Sequence, residues 1–260
     1  MEEGTHPIAN APRRRRRDLE SLILEMGSRV LSERGLSEGA EHVTFKVVFD
    51  RLLEDQGVRV TNASVIGRIW KNQGEFQRAV LLRMAIEEAP DLSPVTEAVG
   101  DALRHADQTS LEGRRRALGE ASRQAGAAAI EALSGSSASR GWLGLWSTQG
   151  LGRSPQGDGA VTEHLSAWGA RAREETVALC AVALDRLGFV PSRGIELATI
   201  ADAIATLAIG AALSHEADQD ISPHRLPTGP AGSLQPWSVL GLGIAAILQQ
   251  LCVPSDLTPR

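Results

Sequence analysis

An all-α fold in two parts is what the sequence predicts, on three observations. Leu, Ala, Glu, Arg and Gln, the good helix formers, are plentiful, whereas aromatic residues make up only 3% and Tyr is absent. Apolar residues recur at three- and four-residue spacing along most of the chain, and no run alternates convincingly as a strand does. Charge divides the chain. Between Pro12 and Ile86, 14 lysines and arginines face 10 acids, but from Asp91 onward 13 face 18. A basic N-terminal part on an acidic body is the asymmetry expected when one domain meets a polyanion and the other does not. The net charge of −5 gives no whole-chain argument for nucleic-acid binding, while 260 residues that are 42% hydrophobic can bury a sizeable core.

Residues 1–17 read as a disordered basic arm containing Arg13, Arg14, Arg15, Arg16 and Arg17. A first helix over 18–34 carries Leu19, Leu22, Ile23, Met26, Val30 and Leu31 on one face, and Gly35 stops it. A second starts at Thr44, a good N-cap, and ends before Gly57. A turn leads to Thr61, another candidate N-cap, and a short third helix runs to about Trp70. Val65, Ile66, Ile69 and Trp70 face inward there, and Ala63, Ser64, Gly67, Arg68 and Lys71 face outward. A fourth helix runs from Gln73 to about Glu88, and Pro90 ends it. The division 18–88 and 91–260 follows. The body reads as helices over 91–106, 111–133, 161–187, 195–216 and 237–253, with a short apolar piece at Trp142 to Trp146. Pro236 opens the last helix.

Two helices joined by a short glycine-containing turn, the second with a small polar outer face, fit a helix-turn-helix. Small side chains at Ala63, Ser64 and Gly67 let a helix sink into the major groove, where Thr61, Asn62, Ser64 and Arg68 offer hydrogen-bonding groups. Arg15, Arg16 and Arg17 can follow a phosphate track or enter the minor groove, although a run of arginines is also what a solvated tail looks like. Thr44, Lys71 and the N-terminus of the fourth helix are candidate phosphate contacts.

The pieces "LILEMGSRVLSERG", "TFKVVFDRLLEDQGV" and "TNASVIGRIWKNQGEFQRAVL" resemble the DNA-binding domain of the TetR family of transcriptional regulators. Thr44, Gly57, Val58, Trp70, Glu75 and Phe76 fall at corresponding points, and the likeness covers about a quarter of the chain. The turn after Gly57 is longer than in that family by about three residues. Gly67 stands nearest the place of the family's phosphate-binding Tyr, and Gly74 replaces its Lys at the start of the fourth helix. The resemblance implies a repressor-like homodimer in the cytoplasm that binds a palindromic operator in double-stranded DNA and is released by a small-molecule effector. The alternative is a helical small-molecule-binding protein without specific DNA binding.

In the body, Leu197, Ile200, Ile204 and Leu207 form one stripe, and Ala198, Ala201, Ala205, Ala208 and Ala212 a second. With Gly241 and Gly243 in the last helix, these faces suit a four-helix interface between two subunits. Trp142, Trp146, His164 and Trp168 are the candidate ligand-binding set, since aromatic walls with a polar group are the usual make-up of an apolar pocket. Tryptophans at helical spacing are more often plain core. The segment 194–213 is the best membrane candidate, but Glu196 and Asp202 are costly in lipid, and no membrane association is expected. Cys180 and Cys252 sit in apolar surroundings and read as reduced, buried thiols. No signal peptide is read at the start.

Catalytic chemistry is not expected. The six histidines show no metal-ligand spacing, no G-x-S-x-G elbow occurs, and "GLGRSPQG" follows no strand and lacks a phosphate-loop Lys. No cofactor and no metal are expected.

Overall fold

The computed structural model of the chain describes residues 16–35, 39–149, 159–216, 223–229 and 232–257. Arg15, most of the predicted arm and the loop containing "GLGRSPQG" lie outside the described residues. Helix dominates. Ten α-helices occur among the described residues: α1 (Arg16–Arg34), α2 (Phe45–Gln56), α3 (Asn62–Val65), α4 (Gln73–Glu87), α5 (Ser93–Arg104), α6 (Leu111–Ser134), α7 (Ser137–Gln149), α8 (Gly159–Leu187), α9 (Leu197–Glu216) and α10 (Val239–Leu251).

The N-terminal helices close around aromatic rings. Phe45 of α2 stacks on Phe76 of α4 with centroids 4.6 Å apart, and Trp70 sits 5.0 Å from Phe76. Ile23, Met26, Val30 and Leu31 of α1 complete this core. α1 and α4 cross so closely that a Cβ on Gly27 would lie 2.6 Å from Val80 Cγ2. The Gln77 side-chain amide donates to the carbonyls of Ala40 (2.9 Å) and Val43 (3.2 Å), fastening the α1–α2 connection to α4. Thr44 Oγ1 accepts from the Val47 amide at 3.2 Å and caps α2 as expected. At the other end Gly57 adopts the left-handed conformation, with φ 66°, and its amide bonds to Leu53 O.

α6 is the centre of the body, with α5, α8, α9 and α10 around it. α6 and α10 meet backbone to backbone, since a Cβ on Gly126 would be 2.3 Å from Gly241 N. α7 and α8 turn toward the N-terminal helices. Their meeting point is built on two tryptophans. Trp142 and Trp168 have ring centroids 4.4 Å apart. Trp142 Nε1 donates to Ala85 O at 3.4 Å and Trp168 Nε1 to Pro90 O at 3.1 Å, so both hold the C-terminal end of α4.

Several expectations need correction. α1 begins at Arg16, so Arg16 and Arg17 belong to its first turn and not to a free arm. The third helix does not reach Trp70; it stops at Val65. Val65 and Ile66 are β-branched, and Gly67 takes a φ of 77° with its amide bonded to Trp70 O at 2.7 Å, which folds the chain back as a turn. The last helix begins at Val239, capped by Ser238 Oγ on the Gly241 amide, because Pro236 and Trp237 are in a strand instead. That strand belongs to one of two short antiparallel pairs. β1 (Phe189–Pro191) pairs with β4 (Cys252–Pro254), and β2 (His224–Leu226) with β3 (Gln235–Trp237). The short apolar piece expected at Trp142 to Trp146 is part of a longer continuous helix, Ser137–Gln149.

α9 is the one helix among the described residues long and apolar enough to cross a membrane, and only 28% of its most apolar stretch is buried within the chain. Asp202, on that helix, is paired with Arg173 of α8 by bonds of 2.5 and 2.9 Å.

Candidate functional site

The segment between α2 and α4 presents a mixed polar and basic surface. Thr61, Asn62, Ala63, Gly67, Arg68 and Lys71 are exposed, and Ser64 is half-buried. Ser64 Oγ donates to Thr61 O at 2.6 Å, so its hydroxyl is committed to the first turn of α3 and keeps only lone pairs for another partner. Thr44 is half-buried at the head of α2. The Phe45 amide points at Gln73 Oε1 at 3.5 Å, which sets Thr44 beside the start of α4.

Charge on this stretch is one-sided. Arg59, Arg68, Lys71 and Arg78 are all exposed, and the one carboxylate between Gly57 and Ala79 is Glu75. That carboxylate turns back and accepts the Lys71 amide at 2.6 Å, while Asn72 Oδ1 accepts the Glu75 amide at 2.9 Å. The N-terminus of α4 is therefore already capped and anionically compensated. A phosphate at this helix end would have to compete with the Glu75 carboxylate, while the Lys71 side chain stays exposed beside it. Arg17 is exposed on the first turn of α1.

Two residues on this surface escape sequence reasoning. Ile66, expected inside, is 40% exposed, because α3 ends before it can rotate inward. Arg59 lies exposed in the turn and carries no spacing signal.

A separate feature occupies the body. A cavity of about 670 Å³ lies among α5, α6, α8, α9 and α10, with Trp146 of α7 and Trp168 in its wall. Its lining draws on both hydrophobic cores: Leu92, Trp146 and Leu213 pack on the N-terminal core, and Val99, Ala125 and Ile204 belong to that of the body. Of the four residues singled out for a pocket, Trp146 and Trp168 line it. Trp142 is 0% exposed and forms core behind Trp168, and His164 points to solvent. The i, i+4 spacing places each pair on one face but cannot tell which member reaches the space.

Cys180 also lines the cavity, and burial pushes its thiol up to about 11, with Cys252 nearby adding to the shift. Asp202, at the cavity wall, is held below the usual carboxylate range by the Arg173 guanidinium bonded to it. Among the described residues no group of three or more His, Cys, Asp or Glu side chains is placed to hold a metal ion.

Comparison with known protein families, with curated proteins and with solved structures finds no match. The functional reading therefore stands on the geometry and charge of these two places.

Proposed function

We propose that this protein is a DNA-binding transcriptional regulator of the TetR-like kind, a homodimer whose N-terminal helix-turn-helix binds a palindromic operator and is released by a small apolar effector. One observation carries the reading: the exposed surface from Arg59 to Arg78 holds four cations, and its single carboxylate, Glu75, is occupied by the Lys71 backbone amide. Such a surface suits the phosphates of a duplex. Asn62 and Arg68 bring base-reading groups, and the exposed Ile66 brings an apolar contact of the sort that meets a thymine methyl. Arg17 and Lys71 add phosphate contacts at the edges, and Thr44 and Thr61 offer hydroxyls.

This use calls for a dimer, because two such surfaces must reach successive major grooves roughly 34 Å apart. The weakly buried, apolar α9 is the surface we assign to it, with exposed Val182 and Val239 on the neighbouring helices. The cavity is the place for an effector, which acts by binding one dimer geometry more tightly than the other.

Mobility shift over a salt series, on sequences selected from a random duplex pool, tests the proposal. The expected outcome is a shift that weakens as salt rises, with Lys71→Ala weakening all sequences alike and lowering the salt slope by about 1. Arg68→Ala is expected to relax sequence preference. Absence of any shift at low salt defeats the DNA-binding reading and leaves the alternative of a ligand-binding helical protein, which the cavity favours.

A further inference from the structure

We propose that the cavity in the body is a site for an uncharged, largely apolar small molecule carrying one hydrogen-bonding group, of the chemical class of a medium-chain alcohol. The inference rests on the effector part of the reading above and supplies the ligand's chemistry.

The first observation is the space itself. Protein interiors are close-packed, with few voids larger than a water molecule. Here about 670 Å³ stays open, within the range of small-molecule sites. Alanines keep it so. Ala121, Ala125 and Ala129 stand at successive four-residue steps on α6, opposite Ala183 of α8 and Ala208 of α9, and all five line the cavity. Leucine at any of them would project into the space.

The second observation is the polar content of the wall. Ser122, 2% exposed, has donated its proton to Leu118 O at 2.8 Å, and Thr176 has donated to Ala172 O at 2.7 Å, so each hydroxyl has lone pairs to offer. Cys180, 8% exposed, has no hydrogen-bond partner among the described residues, and its raised pKa keeps it a neutral thiol. These groups match one neutral polar head and supply no charge to balance an ionic one.

The third observation is at the wall between α8 and α9. Arg173 and Asp202 both line the cavity, and they satisfy each other through two hydrogen bonds. The pair is about half exposed, so it marks the solvent-facing edge of the cavity and offers no unpaired cation to the interior, where a carboxylate ligand would have to bury its charge unpaired, which is costly. The remaining lining carboxylate, Glu175, is exposed and stays hydrated.

The test uses the full chain and the neutral dye 1-N-phenylnaphthylamine, whose emission rises on entering an apolar site. Decanol, decanoate and decylamine then compete for it at pH 7. We expect the dye to bind and decanol to displace it at concentrations at least about tenfold below either charged analogue, as the cost of desolvating an ion requires. Ala125→Leu and Ala208→Leu, checked for fold by circular dichroism, are expected to lose dye binding. No dye binding by the unaltered chain, displacement by a charged analogue as good as by decanol, or wild-type binding in both folded variants overturns the proposal. The competition series needs no variant, so a variant that misfolds leaves the test intact. A DNA shift that survives failed dye binding sinks this inference alone, and dye binding without any DNA shift sinks the DNA-binding reading alone.

Discussion

The two halves of the molecule solve the packing problem in opposite ways. The N-terminal helices hold three of the chain's four phenylalanines, Phe45, Phe49 and Phe76, together with Trp70, in one contiguous cluster of rings. The body surrounds α6 with alanines and leucines and leaves an open space beside it. Rings fill volume with few side chains, so four of them close the centre of the N-terminal helices, and α7 and α8 complete that core. Alanine fills little, and where the alanine faces of α6, α8 and α9 do not close onto each other a cavity remains between them. One half closes around its rings, and the other keeps open space beside its central helix.

This contrast can be broken or sharpened by substitution. The largest effect is expected at Phe76, fully buried between Phe45 and Trp70. Phe76→Ala should cost about 3–5 kcal/mol in denaturant unfolding, since the ring contacts cannot collapse into the gap. Adjacent residues on α6 should then give opposite signs. Gly126→Ala drives a methyl group to within 2.3 Å of the α10 backbone and should cost about 3 kcal/mol. Ala125→Leu enters the cavity and should leave stability unchanged or raise it by about 1 kcal/mol. Equal losses at the two positions would mean that the body is packed as tightly as the N-terminal core. Third in size is Trp168→Phe, which keeps a ring beside Trp142 but strands the Pro90 carbonyl, at a cost of about 2 kcal/mol. Because that bond joins the halves, thermal unfolding should broaden toward two steps.

The smallest effect is a pH dependence at the junction. Burial pushes the Glu88 carboxyl above its ordinary range, with Ser32 of α1 donating to it at 3.5 Å. A raised folded-state pKa means that the folded chain holds the proton more tightly than the unfolded one. Its stabilising share is complete below the unfolded value and is lost as pH rises through the folded one. Glu88→Gln should therefore raise the neutral-pH melting point slightly, by under about 1 kcal/mol in stability, and flatten the melting profile above the ordinary glutamate range.

Helices were the legible part of this chain, because their periodicity and caps are local. Thr44, Gly57 and Gly188 do in the structure what those residue types do in isolation: Thr44 accepts an amide, and both glycines take positive φ at helix ends. Failure came where a local rule met a competing one. By size Gly67 suits the outward face of a longer helix, yet its freedom to adopt φ 77° ends α3 after four residues and exposes Ile66. Pro236 suits a first helical turn, but pairing with Arg225 in a hairpin and the cap at Ser238 prevail. Three-residue strands carry too few alternations to register at all. The cavity was half legible. Tryptophan spacing identified α7 and α8, whereas the opening itself comes from alanines, whose apolar signal is the same whether they touch a neighbour or a void.

The β1–β4 pairing has a further consequence for how the body is assembled. Ser255 bonds back to Gly188 across 67 residues, and Arg114 reaches Asp256 across 142. At synthesis rates of about 5–20 residues per second, Arg114 waits roughly 7 to 28 seconds for its partner. Until then α6 has neither its α10 neighbour nor this latch, and its alanine face is open to the chaperones and proteases that patrol a nascent chain. The aromatic cluster of α1–α4 is synthesised far earlier, although the core it shares with Trp142 and Trp168 waits for α7 and α8.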